Sequence, residues 1–389
     1  MSSRSFAELA AGGLAVAHNG NLTNGLKLRR DLIAQGAICQ STSDTEVILH
    51  LVARSQRGKI IERYIDALRS LEGAYALVSL TNKKLIGARD PLGIRPLMLG
   101  ELNGAYILCS ETCALDIIGA RFVREIENGE VVVISEDGIE SHWPFPRQPA
   151  RPCIFEYIYF SRPDSVLGGR SVYDVRKKMG MQLAREAPAD VDVVVPVPDS
   201  GVPSALGYAQ QLNIPFELGI IRNHYVGRTF IEPTQTIRSL GVKLKHSANR
   251  SVVAGKRIVL IDDSVVRGTT SVKIVRMMYE AGAKEVHMRI ASPPITHPDF
   301  YGIDTPEQKP AAGRHAFAGR NARLYRRHLA GFHLGGWHLQ GRGLRGPQQR
   351  PAAVHRPLLH RRIPHPPDRS HRRVGQAATL PSCRGWLIP

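Results

Sequence analysis

A chain of 389 residues has room for two domains with sizeable cores, and its formal charge of +18 first points to a polyanionic partner. The placement of that charge excludes nucleic-acid binding as the leading reading: residues 308–389 hold 16 lysines and arginines against one acid, Asp368, while the first 307 residues hold 36 basic against 33 acidic ones. Five cysteines without paired spacing (Cys39, Cys109, Cys113, Cys153, Cys383) argue against a disulfide framework and for a reducing, cytoplasmic setting, and neither a signal-peptide pattern nor an apolar run of membrane-spanning length is present.

Residues 14–17 read as a small apolar strand leading into His18, Asn19, Gly20 and Asn21, a turn-rich group able to offer N–H groups and side-chain amides to a ligand. A helix is expected over 22–33, with Asn24 near its start. Residues 41–46, STSDTE, look like a helix N-terminus, with Ser43 as cap, Glu46 completing a capping box and Asp44 as a favourable first-turn acid. Residues 75–80, 84–89, 97–99, 105–109 and 130–134 read as short strands between Gly, Asn and Pro turns, the texture of an antiparallel layered domain. Among them ARDPLGIRPL, residues 88–97, sets two prolines and a glycine in a rigid corner. Four prolines within 143–152 then mark a domain boundary.

CIFEYIYFSRPDS, residues 153–165, follows that boundary. Residues 191–197 read as a buried parallel strand, ending in Pro198, Asp199, Ser200 and Gly201 ahead of a helix from 203. A further strand is expected over 216–221, and then a long polar, basic segment carries Arg222, His224, Tyr225, Arg228, Lys243 and Lys245. A loop of that length in a compact domain reads as a lid. Residues 257–271, RIVLIDDSVVRGTTS, place a short apolar strand before two adjacent acids, a loop rich in hydroxyls, and a helix whose apolar positions are Val272, Val275 and Met278. Backbone N–H groups and a helix dipole at such a turn hold phosphate, with Thr269, Thr270 and Ser271 as extra donors. Asp262 and Asp263 suit ribose hydroxyls or hydrated Mg²⁺ instead, so the turn asks for a sugar phosphate. GxxxxGK[ST] is absent, and no GxGxxG follows the strand. A last strand is expected over 286–291. From 308 onward Arg, His, Pro and Gly run on without period, a composition expected to be disordered, and its eight histidines lack metal-ligand spacing.

The block at 257–271 resembles the phosphoribosyl pyrophosphate (PRPP) signature of type I phosphoribosyltransferases. AHNGN, STSDTEVI, ARDPLGIRPL and Ser110-Glu111-Thr112, in that order, resemble the glutaminase domain of N-terminal-nucleophile amidotransferases. CIFEYIYFSRPDS resembles one family, the amidophosphoribosyltransferases, and the likeness extends over 6–307. It implies an α/β chain with an α+β N-terminal part: an incomplete glutaminase αββα domain over 1–145 that lacks its N-terminal strands, then a parallel-sheet phosphoribosyltransferase domain over 146–307. The basic tail over 308–389 falls outside the likeness. Our hypothesis for it is an out-of-frame reading of a GC-rich gene, which an intact frame in independent clones would refute.

The resemblance implies an enzyme that hydrolyses glutamine and passes the ammonia to a second site. There the ammonia displaces pyrophosphate from PRPP to give 5-phosphoribosylamine, the first step of purine synthesis. Asn19 and Gly20 match oxyanion-hole positions and Asp44 the acid that holds the glutamine α-amine. The family's nucleophilic cysteine is expected to be absent, the chain opening Met1-Ser2-Ser3, so the activity implied is at most ammonia-dependent. PRPP would be held by Asp262, Asp263, Ser264, Arg267, Gly268, Thr269, Thr270 and Ser271 beneath a flexible lid with Tyr225, Arg228, Lys243 and Lys245, and Mg²⁺ by Ser200, Asp262 and Asp263. Cys153 matches a ligand of a 4Fe-4S cluster found in some members, but Asp299 stands where some relatives carry another, so Cys153 is read as a buried apolar residue. Cys39, Cys109 and Cys113 carry no ligand spacing and are read the same way. Implied partners are PRPP, glutamine or ammonia, purine nucleotides as feedback inhibitors and further copies of the chain, with no specific nucleic acid and no membrane. The alternatives are a non-catalytic PRPP-binding regulator and an inactive pseudogene product.

Overall fold

Alternating apolar residues build the first layer. In β2 (Gly12–Leu22), Leu14, Val16, His18 and Leu22 turn to one buried face. The computed structural model describes residues 2–9, 12–223, 246–265, 269–293 and 299–301. It pairs β2 with β1 (Ser2–Leu9) on one side and β3 (Gly73–Thr81) on the other. The antiparallel sheet continues through β4 (Leu85–Arg89), leaves it for a second sheet of β5 (Met98–Leu102), β6 (Ala105–Cys109) and β7 (Arg121–Glu125), and returns as β8 (Val131–Ser135) and β9 (Gly138–His142). The main sheet therefore runs β1-β2-β3-β4-β8-β9, and the smaller one β6-β5-β7. Residues 2–9, where no strand was expected, form an edge strand with Phe6 left 69% exposed.

Two helices cover one face of the main sheet. Ile48 and Val52 of α2 (Asp44–Arg54) and Tyr64 and Leu68 of α3 (Ile60–Leu68) pack on Leu14, Val16, Leu77 and Ile86, while Leu97, Leu99, Ile126 and Val132 join the two sheets. A shorter helix, α1 (Gly25–Ala34), precedes them. It starts later than the expected 22, because Leu22 remains in β2 and donates its N–H to Asp44 at 3.1 Å. The expected capping box does not form. Ser43 Oγ accepts from the Thr45 N–H at 3.2 Å, but the loop folds back so that Glu46 finds nearer donors in the N–H groups of Gln40 (2.6 Å) and Ser41 (2.9 Å).

The rigid corner at 88–97 has a physical centre. Asp90 is fully buried and accepts from the N–H groups of Tyr75, Leu92, Ile94 and Arg95. Gly93 there has φ +62°, and a Cβ on it would meet Asn128 Oδ1 at 1.9 Å. Beyond β7 and its flanking helix α4 (Thr112–Ile118), a π-helical turn at Glu156–Phe160 and a small hairpin, β10 (Val166–Leu167) with β11 (Arg170–Ser171), lead into the second half.

That half is a parallel sheet in the order β12-β15-β16, formed by β12 (Val193–Pro196), β15 (Arg257–Asp262) and β16 (Glu285–Ile290). Apolar runs with no alternation fit strands covered on both faces. Val194, Val259 and Ile261 meet α5 (Val172–Glu186) and α6 (Val202–Leu212), while Val193, Val195, Ile258 and Leu260 meet α7 (Thr269–Glu280). On α7 the buried positions are Ile274, Val275 and Met278; Val272, expected inside, is 65% exposed. The backbones of α5 and α6 cross closely, since a Cβ on Gly180 would lie 1.8 Å from Ser204 O and one on Gly207 2.0 Å from Lys177 O. The strand expected over 216–221 is reduced to a bridge at Phe216, because the chain turns tightly at Gly219 and resumes as β13 (Ile220–Arg222). Its partner β14 (His246–Ala248) brackets the long basic segment. No helix among the described residues is long and apolar enough to cross a membrane.

Candidate functional site

Two strand-to-helix turns meet at the carboxyl edge of the parallel sheet. The register pairs Pro196 with Ile261, which sets the turn at 198–201 beside the acids that follow β15. Gly201 is required where it stands: a Cβ would come within 2.5 Å of Ile261 O and 2.7 Å of Val197 O. Ser200 Oγ then donates to Asp263 Oδ1 at 3.0 Å, and Ser264 Oγ donates to Asp263 Oδ2 at 3.0 Å. The Asp263 N–H donates to Asp262 Oδ1 at 3.0 Å, and the two side chains are close enough for Asp263 to act on the Asp262 carboxyl. Burial, followed by the charge and hydrogen bonding of Asp263, pushes the Asp262 carboxyl up to about 8.

Sequence reading brought Ser200, Asp262, Asp263 and Ser264 to one place, and the geometry groups them. Thr269, Thr270 and Ser271 open α7 directly behind. Arg267 and Gly268 lie outside the described residues, as do the lid positions Tyr225, Arg228, Lys243 and Lys245. Arg222, at the start of that segment, forms an ion pair with Asp199 in the first turn. One contributor escaped the sequence: Arg176 on α5, only 3% exposed, whose charge acts on Asp263 while its guanidinium donates to the carbonyls of Tyr157 (2.6 Å) and Ser161 (2.7 Å).

A second site lies at the end of β2. Asn19 and Gly20, expected in a turn, stay within β2 paired with Ala76 and Tyr75; Gly20 has φ +146°, and a Cβ there would overlap Ala74 O at 2.0 Å. Asp44 sits opposite, its Oδ1 3.5 Å from His18 Nδ1. Burial would raise the Asp44 carboxyl, but its bonds to His18 and to the N–H groups of Leu22 and Thr45 outweigh this and hold it below the usual range. Asn19 Nδ2 reaches Ser110 Oγ at 3.5 Å, and Arg95 Nη2 donates to Asn19 Oδ1 at 2.8 Å.

Arg95 also joins the two halves. Its Nη1 is 2.8 Å from Glu156 Oε1, both side chains being buried, and its guanidinium stands 4.9 Å from the centre of the Phe160 ring. Nearby, Glu111 Oε2 accepts from the Arg162 N–H and from Ser165 Oγ, both at 2.7 Å, and Asn21 Nδ2 donates to Phe300 O at 2.7 Å. The motifs at 110–112 and 153–165 thus form the seam between the halves.

Comparisons with known proteins agree with both halves. Residues 3–116 match the model of a glutamine amidotransferase domain and residues 165–291 that of a phosphoribosyl transferase domain. A Rhizobium etli amidophosphoribosyltransferase is 67% identical over 307 residues, which is 78% of this chain and 62% of the relative. The solved glutamine PRPP amidotransferase of Bacillus subtilis, complexed with ADP and GMP, superposes with a TM-score of 0.72 at 46% identity, covering 85% of this chain and 71% of that one. A solved allosteric regulatory enzyme of purine biosynthesis gives 0.73, also at 46% identity. The chain belongs to the amidophosphoribosyltransferase family. It spans about three-fifths of the length of its Rhizobium etli relative.

Within an amidophosphoribosyltransferase fold the residues present fit Mg²⁺ and a 4Fe-4S cluster unequally. The carboxylates of Asp262 and Asp263 and the Ser200 hydroxyl form an oxygen-only donor set around adjoining acids, which suits a hard cation such as Mg²⁺. Cys153 does not extend to a cluster site. It is buried in a small apolar group with Ala74 and Ile94, burial pushes its thiol up to about 12, and no trio of possible ligands includes it among the described residues.

Proposed function

We propose that this chain transfers ammonia onto C1 of PRPP, releasing pyrophosphate and giving 5-phosphoribosylamine, the first step of purine biosynthesis. The observation that carries this reading is the hydrogen bond from Ser200 to Asp263, because it joins two phosphate-type turns around a single acid pair. Asp262 and Asp263 would hold the ribose hydroxyls and orient the sugar as positive charge develops at C1. The 5′-phosphate would rest at the start of α7 against Ser264, Arg267, Gly268, Thr269, Thr270 and Ser271, and the pyrophosphate at 198–201. Mg²⁺, held by Ser200, Asp262 and Asp263, would neutralise charge on the departing group. Tyr225, Arg228, Lys243 and Lys245 are assigned to a lid.

Asn19, Gly20 and Asp44 are assigned to a glutamine pocket. Free ammonia is the nitrogen donor assigned to the transferase half in this reading. Domain limits of 1–145, 146–307 and 308–389, a cytoplasmic location, association with further copies and inhibition by purine nucleotides belong to the same reading. The nucleotides bound to the Bacillus subtilis relative support the last of these.

The test is pyrophosphate release from Mg²⁺-PRPP with ammonium chloride and, separately, with glutamine. Activity with ammonium that falls about 100-fold or more in the Asp262→Asn, Asp263→Asn double variant is expected. An undiminished rate in that variant refutes the assignment. Tight PRPP binding without turnover would favour a regulator instead.

A further inference from the structure

Cys39 lies on the loop between α1 and α2, and Glu46 and His50 stand one turn apart on α2. One ligand atom from each, the Cys39 Sγ, a Glu46 carboxylate oxygen and a His50 ring nitrogen, fall within 4.8 Å of one another. Among the described residues no other trio of His, Cys, Asp or Glu gathers this closely. The spacing C-x6-E-x3-H gives no hint of it, because the loop must first fold back over the helix.

That fold-back is built rather than incidental. Glu46 is 9% exposed and accepts from the N–H groups of Gln40 and Ser41 and from Ser41 Oγ (2.8 Å), so the residues directly after Cys39 are tied to α2. Each carboxylate oxygen has a second lone pair, and these bonds leave one on Oε1, the oxygen 3.9 Å from His50 Nε2. Arg29 Nη1 lies 3.6 Å from Oε2, the other oxygen, which assigns the two faces of the carboxylate to different cations. Cys39 and His50 are half-buried, so solvent reaches the centre of the trio.

We propose that Cys39, Glu46 and His50 bind one divalent cation of the zinc class, with water as the fourth ligand. A thiolate, an imidazole and a carboxylate select Zn²⁺ or Co²⁺ over Mg²⁺ and Ca²⁺. Around a tetrahedral ion with about 2.3 Å to sulfur and about 2.0–2.1 Å to nitrogen or oxygen, the ligand atoms stand roughly 3.3–3.7 Å apart. The trio needs only a contraction of about 1 Å to reach this, within the range of side-chain rotation. The thiol proton leaves to solvent on binding, and two negative ligands balance the ion's charge. Because Asp44 is two residues ahead of Glu46, the ion would clamp the loop that borders the second site.

The tail carries eight histidines and Cys383, so the experiment uses the full chain with Cys383→Ser and Co²⁺ as probe. One equivalent of Co²⁺ should give a thiolate-to-cobalt charge-transfer band that Zn²⁺ displaces. The band should vanish with Cys39→Ser, and affinity should fall at least about tenfold with His50→Gln. In the unaltered protein, saturating Zn²⁺ should protect Cys39 from iodoacetamide, read by peptide mapping, which does not depend on any variant folding. No thiolate band, a band that survives Cys39→Ser, an unchanged affinity in His50→Gln, or equal alkylation with and without Zn²⁺ would each overturn the site.

Discussion

Asp262 carries a cost that its surroundings impose. In the folded chain burial and the adjoining Asp263 push its carboxyl up to about 8, well above the value of about 4 for an unfolded chain. Between those values the unfolded chain has released a proton that the folded chain keeps, so stability falls as pH rises through this window. Thermal melts from pH 5 to pH 8 should show the fall, and Asp262→Asn should flatten it. Millimolar Mg²⁺ should recover stability at pH 8 in the parent and not in the variant, and a parent slope unaffected by Asp262→Asn would rule out this carboxyl as the cause. Arg95 is under an opposite constraint. Arg95→Met would leave the buried Glu156 carboxylate without its cation, and urea denaturation should record a loss of about 3–5 kcal/mol. An Arg95→Met midpoint equal to the parent's would show that the pair contributes nothing.

At the level of elements, the parallel strands were legible because VVVP and IVLI are continuous β-branched and apolar runs, which only a strand covered on both faces requires. Their turns were legible too, since Ser, Gly and Asp in a strand-to-helix turn have few other uses. What stayed hidden depends on distant pairing. Arg95 meets Glu156 across 61 positions, the charge of Arg176 acts on Asp263 across 87, and no local period connects them. The capping box failed for a related reason: Glu46 had the right spacing, but the loop supplied nearer N–H donors. Ser43 still caps through Thr45, so Ser43→Ala should cost about 1 kcal/mol, measurable by denaturant titration. The crossing of α5 and α6 allows no side chain at Gly180. Gly180→Ala should separate the helices and cost roughly 1–3 kcal/mol or more, checked by the same titration, despite the better helix propensity of alanine.

Across the whole molecule, the charge excess and the chemistry occupy different regions. The acid pair, the group of Asn19, Gly20 and Asp44 proposed to hold glutamine, and the seam all fall within the nearly neutral first 307 residues, while most of the net charge belongs to 308–389. The seam itself is a set of directional contacts around one buried ion pair, Arg95 with Glu156, with Glu111 to Arg162 and Ser165 and Asn21 to Phe300 nearer the surface. Pulling the halves apart would strand the Arg95 guanidinium or the Glu156 carboxylate in surroundings that cannot rehydrate it without wider disruption. Neither half, on that account, keeps its own melting temperature: calorimetry should give one heat-absorption peak whose van't Hoff and calorimetric enthalpies agree, and two resolved peaks would mean that the halves part company freely.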